Sequence, residues 1–117
     1  MSLRDYHREG WDIHYFARMD STNTALLEAG RQGAAERLVY VADEQTAGRG
    51  RLDRRWSAPP GTCLLLSLLF RPLEPFTYHA PRLTMLCGMA MADAVETASG
   101  VTVQLKWPND LILTHEG

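Results

Sequence analysis

Apolar and polar positions change period several times along the chain, and each change marks an element. Ile13-His14-Tyr15-Phe16-Ala17 alternates and is rich in β formers, which predicts a first strand ending at the polar run Asp20-Ser21-Thr22-Asn23. That run is a helix start. Asp20, Ser21 or Thr22 can cap the N–H groups of a helix through Thr24–Ala29, and Gly30 or Gly33 can end it. Leu38-Val39-Tyr40-Val41-Ala42 reads as a buried strand, Asp43 to Pro60 as a polar, glycine-rich loop, and Thr62 to Phe70 as another strand opened by Gly61. Pro72 and Pro75 mark a connector. Leu83, Leu86, Cys87, Ala90 and Ala94 then fall at helical spacing, with Asp93, Glu96 and Thr97 on other faces and Gly100 as the stop. Val101 to Lys106 alternates again, Trp107-Pro108-Asn109-Asp110 has the composition of a turn, and Leu111-Ile112-Leu113 returns as a strand.

The resulting order is strand, helix, strand, strand, helix, strand, strand. Strands in consecutive pairs predict an α+β fold, a mixed β-sheet with helices on one face, and argue against a doubly wound parallel sheet. At 117 residues the chain has room for one domain, and 45% hydrophobic with 22% charged residues is an ordinary globular balance. The longest apolar stretch, Cys63 to Phe70, is interrupted by Ser67 and is far short of the ~20 residues of a membrane-spanning helix. Charges in Met1-Ser2-Leu3-Arg4-Asp5-Tyr6 stand where a secretory signal would need an apolar core, so a cytoplasmic location is expected. Cys63 and Cys87 are isolated, and both are expected to be reduced and mostly buried. His7, His14, His79 and His115 are scattered, which argues against zinc or haem and leaves Mg²⁺, with its few protein ligands, open.

Three polar clusters stand at the ends of these elements, where loops present side chains from a rigid scaffold. Asp20-Ser21-Thr22-Asn23 serves at least as a helix cap, and beside free N–H groups it can hold a neutral polar ligand or an anion. Gln45-Thr46-Ala47-Gly48-Arg49-Gly50-Arg51-Leu52-Asp53-Arg54-Arg55-Trp56 carries four arginines against one aspartate, in a chain whose net charge is −2. Glycine beside arginine allows close approach to a ligand, and guanidinium pairs with phosphate or carboxylate, so a small anion is the natural target. The same loop taken alone also fits a solvated or RNA-contacting segment. It is neither a dinucleotide fingerprint nor a P-loop. Lys106-Trp107-Pro108-Asn109-Asp110 is at least a hairpin turn; in a functional reading Lys106 neutralises phosphate while Asn109 or Asp110 offers oxygen to Mg²⁺.

Taken together these clusters, with Ala58-Pro59-Pro60-Gly61 leading into Leu64-Leu65-Leu66-Ser67, closely resemble the biotin protein ligases, in that family's order and spacing from Ile13 to Leu113. The resemblance implies a fold like the class II aminoacyl-tRNA synthetases. It also implies a reaction in which biotin and ATP give biotinyl-5′-AMP and pyrophosphate, followed by transfer to a lysine of a biotin carboxyl carrier protein. It assigns Ser21, Thr22, Asn23, Gln45, Arg49, Gly50 and Arg51 to biotin, and Arg51, Arg54, Trp56, Lys106, Asn109 and Asp110 to ATP. Arg51 and Lys106 are the implied catalytic groups, and Asn109 and Asp110 the implied Mg²⁺ ligands. Asp53 stands where the family often has glycine, and Ala58 where serine is frequent.

The resemblance also suggests a single, truncated catalytic domain over 1–117, with no winged-helix domain and hence no DNA partner, and no C-terminal domain; with no long apolar stretch, no membrane partner is expected either. The family's next lysine, in a Lys-x-x-Gly-Ile-Leu type segment, lies beyond Gly117; losing one such donor commonly costs ~10²–10³ in rate. Loss of later strands would expose the edge of Leu111–Thr114, so a homo-oligomer through that edge is expected. A lipoate protein ligase-like enzyme and a non-catalytic biotin- or nucleotide-binding module are the alternatives.

Overall fold

The computed structural model describes residues 4–50, 52, 54–72, 76–106 and 110–113. Their contacts divide the chain into two compact units, Met1–Arg71 and Pro72–Gly117.

The first unit is a four-stranded mixed sheet carrying one helix. Strand β1 (Arg4–Arg8) turns through Glu9 and Gly10 into β2 (Trp11–Phe16), which pairs parallel with β3 (Leu38–Ala42) after helix α1 (Thr22–Arg31). Both turn residues have positive φ, 51° and 84°, the geometry of a two-residue turn that matches the twist of its strands. Sequence reading had no counterpart of β1; its signal is the Glu-Gly pair between two β-rich runs. Strand β6 (Leu65–Leu68) pairs antiparallel with β3 on the side away from β2, giving the spatial order β1-β2-β3-β6. Between β3 and β6 in sequence lies a small hairpin, β4 (Gly48–Arg49) with β5 (Arg55–Trp56), inside the segment expected to be loop.

The core follows from strand position. Val39, Val41 and Ala42 on central β3, Leu65 on β6 and Leu26 on α1 are the buried apolar side chains. Burying a side chain such as Leu26 contributes about 1.5–3 kcal/mol. α1 lies close to the sheet: a Cβ at Gly30 would stand 3.2 Å from a Leu69 methyl carbon. Its far end is fastened by Arg71, whose Nε donates to the Ala34 carbonyl at 2.8 Å and Nη2 to that of Gly30 at 2.7 Å. A cationic group on the carbonyls at a helix C-terminus also complements the helix dipole. The helix ends at Gln32, followed by Gly33 with φ 96°.

The second unit is helix α2 (Phe76–Ser99) with the antiparallel hairpin β7 (Val103–Lys106) and β8 (Asp110–Leu113). Gly100, φ 74°, ends the helix as the sequence predicts. The helix starts earlier than the apolar stripe implied and includes Pro81, and a different face meets the hairpin. Gly88, Met91 and Val95 are partly buried, and a Cβ at Gly88 would lie 3.2 Å from Leu105. Leu86, Cys87, Ala90 and Ala94 are exposed, whereas Leu83 is partly buried. α2 is apolar on more than one side, so periodicity alone could not select the packed one. The cysteine expectation fails in the same way: Cys63 and Cys87 are free, but both are exposed. Cys63 sits in the turn before β6 and Cys87 on this exposed side of α2. No helix among the described residues is long and apolar enough to cross a membrane.

Candidate functional site

The polar run that opens α1 forms a corner with the loop after β3. Beyond β2 and β3 the backbones stay in step: the amide of Asp43 donates to the Phe16 carbonyl (3.1 Å), that of Thr46 to Met19 (2.9 Å) and that of Ala47 to Asp20 (2.8 Å). This parallel continuation brings Gln45 to the start of the helix. There Gln45 Oε1 accepts from the amide of Thr22 at 2.7 Å, while the Ser21 hydroxyl, as N-cap, accepts from the amide of Thr24 at 3.2 Å. Two of the first three N–H groups of α1 are thus bonded to side chains, which leaves the helix end poorly suited to a bare anion and better suited to a neutral polar group.

Ser21 and Thr22 are buried, 2% and 3% exposed. They line a cavity of about 190 Å³ with Asn23, Gln45, Arg49 and Trp56, its remaining wall being Leu64 to Ser67 on and before β6. The Thr22 hydroxyl is 2.8 Å from that of Ser67.

The hairpin β4–β5 supplies the arginine-rich side. Gly48 and Trp56 are register partners, as are Arg49 and Arg55. A Cβ on Gly48 would come within 2.7 Å of the Trp56 carbonyl oxygen and 2.8 Å of Gln45 Nε2, so this approach requires glycine. Arg49 and Arg55 face each other across the hairpin, an arrangement of like charges that an anion would relieve. Both line a second hollow of about 340 Å³, together with Gln45 to Gly48, Trp56 and Ser57. Gly50 and Arg54 sit at the hairpin tip, where the Gly50 amide donates to the Arg54 carbonyl at 2.6 Å; neither is among the lining residues of these two cavities. Arg51 and Asp53 lie outside the described residues, as do Trp107, Pro108 and Asn109.

In the second unit Lys106 and Asp110 are register partners that open the β7–β8 turn. Both edge a groove of about 610 Å³ whose walls are otherwise largely apolar, from Leu83 and Met91 on α2 to Leu105 and Leu111. Among the described residues no group of three or more His, Cys, Asp or Glu is placed to hold a metal ion. Asp110 alone could supply one carboxylate to Mg²⁺, an ion commonly held by one or two carboxylates with the rest of its shell from water and substrate phosphates.

Of the sequence candidates, Ser21, Thr22, Asn23, Gln45, Arg49 and Trp56 thus meet around one cavity, and Lys106 and Asp110 meet in the other unit. The sequence alone assigns no role to Ser67 or Arg55. The available signal for Ser67 was a single hydroxyl inside an otherwise apolar strand.

Residues 15–116 match the biotin/lipoate A/B protein ligase family. The chain belongs to that family. Within it, the sequence is 36% identical over 104 residues to the bifunctional ligase/repressor BirA of Bacillus subtilis, covering 89% of this chain and 32% of that protein. It is 34% identical over 119 residues to the biotin–[acetyl-CoA-carboxylase] ligase of Mycobacterium tuberculosis, covering 95% and 45%. Among solved structures, the Aquifex aeolicus biotin protein ligase in complex with biotin and ATP superposes with a TM-score of 0.69 at 31% identity, over 85% of this chain and 40% of that one. The Leishmania major biotin protein ligase in complex with biotin gives 0.70 at 30%, over 88% and 47%. The α+β fold of these ligases is therefore present, and the chain spans between about a third and a half of the length of these relatives.

Proposed function

We propose that the chain carries the biotin- and ATP-binding part of a biotin protein ligase, an enzyme that activates biotin as biotinyl-5′-AMP and transfers it to a lysine of a biotin carboxyl carrier protein. The observation that carries this reading is the hydrogen-bonded polar corner of Ser21, Thr22, Gln45 and Ser67 beside the arginine hairpin. It pairs a pocket for a neutral polar head with cations for a carboxylate and a phosphate. Relatives named as biotin ligases support the same reading.

In this reading Ser21, Thr22, Asn23 and Gln45 hold the ring system of biotin. Arg49, Gly50 and Arg51 close over its carboxylate and the adenylate, Arg54 faces the phosphates, and Trp56 packs the hairpin. The carboxylate oxygen attacks the α-phosphorus and pyrophosphate departs. Both reactants are anionic, so their approach needs positive charge already in place, which Arg51 and Lys106 supply. Asp110 and Asn109 would hold Mg²⁺, which adds charge neutralisation at the phosphates. The carrier's lysine amine then attacks the acyl carbon and AMP leaves. We assign both units to one catalytic domain of a cytoplasmic protein, and we propose self-association through an exposed sheet edge.

The polar cavity of the first unit, lined by residues of that unit alone, favours one second reading, a module that binds biotin or nucleotide without turnover. Calorimetric titration with biotin, and then with biotin plus Mg²⁺-ATP, separates the two when pyrophosphate release is followed in parallel. Biotin binding that is lost in Arg51→Ala, with pyrophosphate release that falls ~10²–10³-fold in Lys106→Ala, supports the ligase. Binding without pyrophosphate release supports the module. No heat with any ligand overturns both.

A further inference from the structure

The smaller cavity is lined by a pair of hydroxyls, Thr22 and Ser67, of which the reading above gives only Thr22 a role toward the ligand. Thr22 Oγ1 and Ser67 Oγ are 2.8 Å apart, they come from elements 45 residues apart in sequence, and either can be the donor. Thr22 is 3% exposed, so its hydroxyl has little water to turn to, and its backbone N–H is already fixed by Gln45. Threonine is also stiff about χ1, so one hydrogen bond to Oγ1 selects one of few rotamers and with it the direction of the γ-methyl.

Ser67 is well placed to do this. It lies in β6 between Leu66 and Leu68 and is the register partner of Tyr40 on central β3, so its own backbone position is set by strand pairing rather than by the helix it contacts. A hydroxyl on a strand thereby holds a hydroxyl on a helix N-terminus.

We infer that Ser67 is a positioning residue: it fixes the rotamer of Thr22 and so prepares the polar floor of the cavity for the neutral head of the ligand. The structural half of this inference rests on the Thr22–Ser67 geometry alone, and the ligand half rests on the biotin reading. The pair also leaves one O–H and several lone pairs for a ligand, so the floor meets a group that both donates and accepts. In Ser67→Ala, the Thr22 hydroxyl loses its partner in a site with little water, an imbalance that costs more than an exposed bond would.

The test uses the 117-residue chain, with the Thr22 methyl ¹³C shift as a rotamer probe and calorimetry with biotin as the ligand probe. Ser67→Ala is expected to move the Thr22 methyl resonance while amide shifts distant from the corner stay in place, and to weaken biotin binding about tenfold. In a Thr22→Val background, Ser67→Ala is expected to change the affinity less than twofold, because the group it positions is gone. Independent, multiplying effects of the two substitutions overturn the proposal, and so does an unmoved methyl resonance. If the unsubstituted chain gives no biotin heat, the ligase and binding-module readings fail; the methyl shift then decides the role of Ser67 alone, a moved resonance supporting it and an unmoved one ending it.

Discussion

The two units use different physics to place their polar groups. In the first, Thr22, Gln45 and Ser67 are locked by hydrogen bonds between segments 23 and 45 residues apart, with Ser21 capping the same helix, over a core of Leu26, Val39, Val41, Ala42 and Leu65. In the second, Lys106 and Asp110 stand at the mouth of a two-stranded turn, beside a helix that leaves Met85, Leu86 and Met89 about half exposed. The first arrangement is preorganised: its groups are already paired, so binding does not have to order them. The second presents charge from a hairpin whose stability rests on one helix face. Recognition of a neutral head is well served by the former, and neutralisation of phosphate, which depends on charge more than on fine geometry, tolerates the latter.

Substitutions can break this contrast at graded strength. The largest expected effect is Leu26→Ala, which removes a buried side chain under the polar corner and is expected to cost about 2–5 kcal/mol in chemical denaturation while also loosening α1. A loss under 1 kcal/mol would show that the corner does not rest on this core. Next comes Gly48→Ala. Its Cβ meets the Trp56 carbonyl and Gln45, so about 1–3 kcal/mol of strain is expected, with disrupted β4–β5 pairing visible as faster amide exchange at Gly48 and Trp56. Unchanged exchange would mean that the hairpin shifts to accept the methyl. Ser21→Ala removes the N-cap and is expected to lower stability by about 1 kcal/mol, read from the midpoint of urea unfolding. The smallest change is Leu86→Ser on the exposed side of α2, expected within ±0.5 kcal/mol of the parent. A loss of several kcal/mol there would show that this side is covered in solution, and the contrast between the units would then narrow.

Sequence reading recovered β3 to the residue, Gly100 as the stop of α2, Gly33 as one of two candidate stops of α1 (Gly30 lies inside the helix), and Ser21 as one of three candidate caps, because each rests on a local rule: alternation, a left-handed C-terminal glycine, a hydroxyl before a helix. It missed β1 and treated the β4–β5 hairpin as loop. The former depends on pairing with β2, and the latter on strands of two residues, too short for any periodicity to register. It selected Leu86, Cys87, Ala90 and Ala94 as a packed stripe that the structure leaves exposed, since a helix apolar on two sides carries no mark of which side meets a neighbour.

The candidate site divides along the same line. Order and spacing of the motifs, the local positive charge of the Gly-Arg loop and the resemblance to biotin protein ligases were all legible in one dimension, and with them the membership that the family match establishes. Three things came from tertiary structure alone: that Gln45 bonds the amide of Thr22, that Gly48 is required by the closeness of Trp56, and that Ser67 faces Thr22. The first and third join segments 23 and 45 residues apart through hydrogen bonds of 2.7 and 2.8 Å, and the second arises across a hairpin. Such contacts are fixed by strand register and helix packing, which no pattern within a single segment encodes.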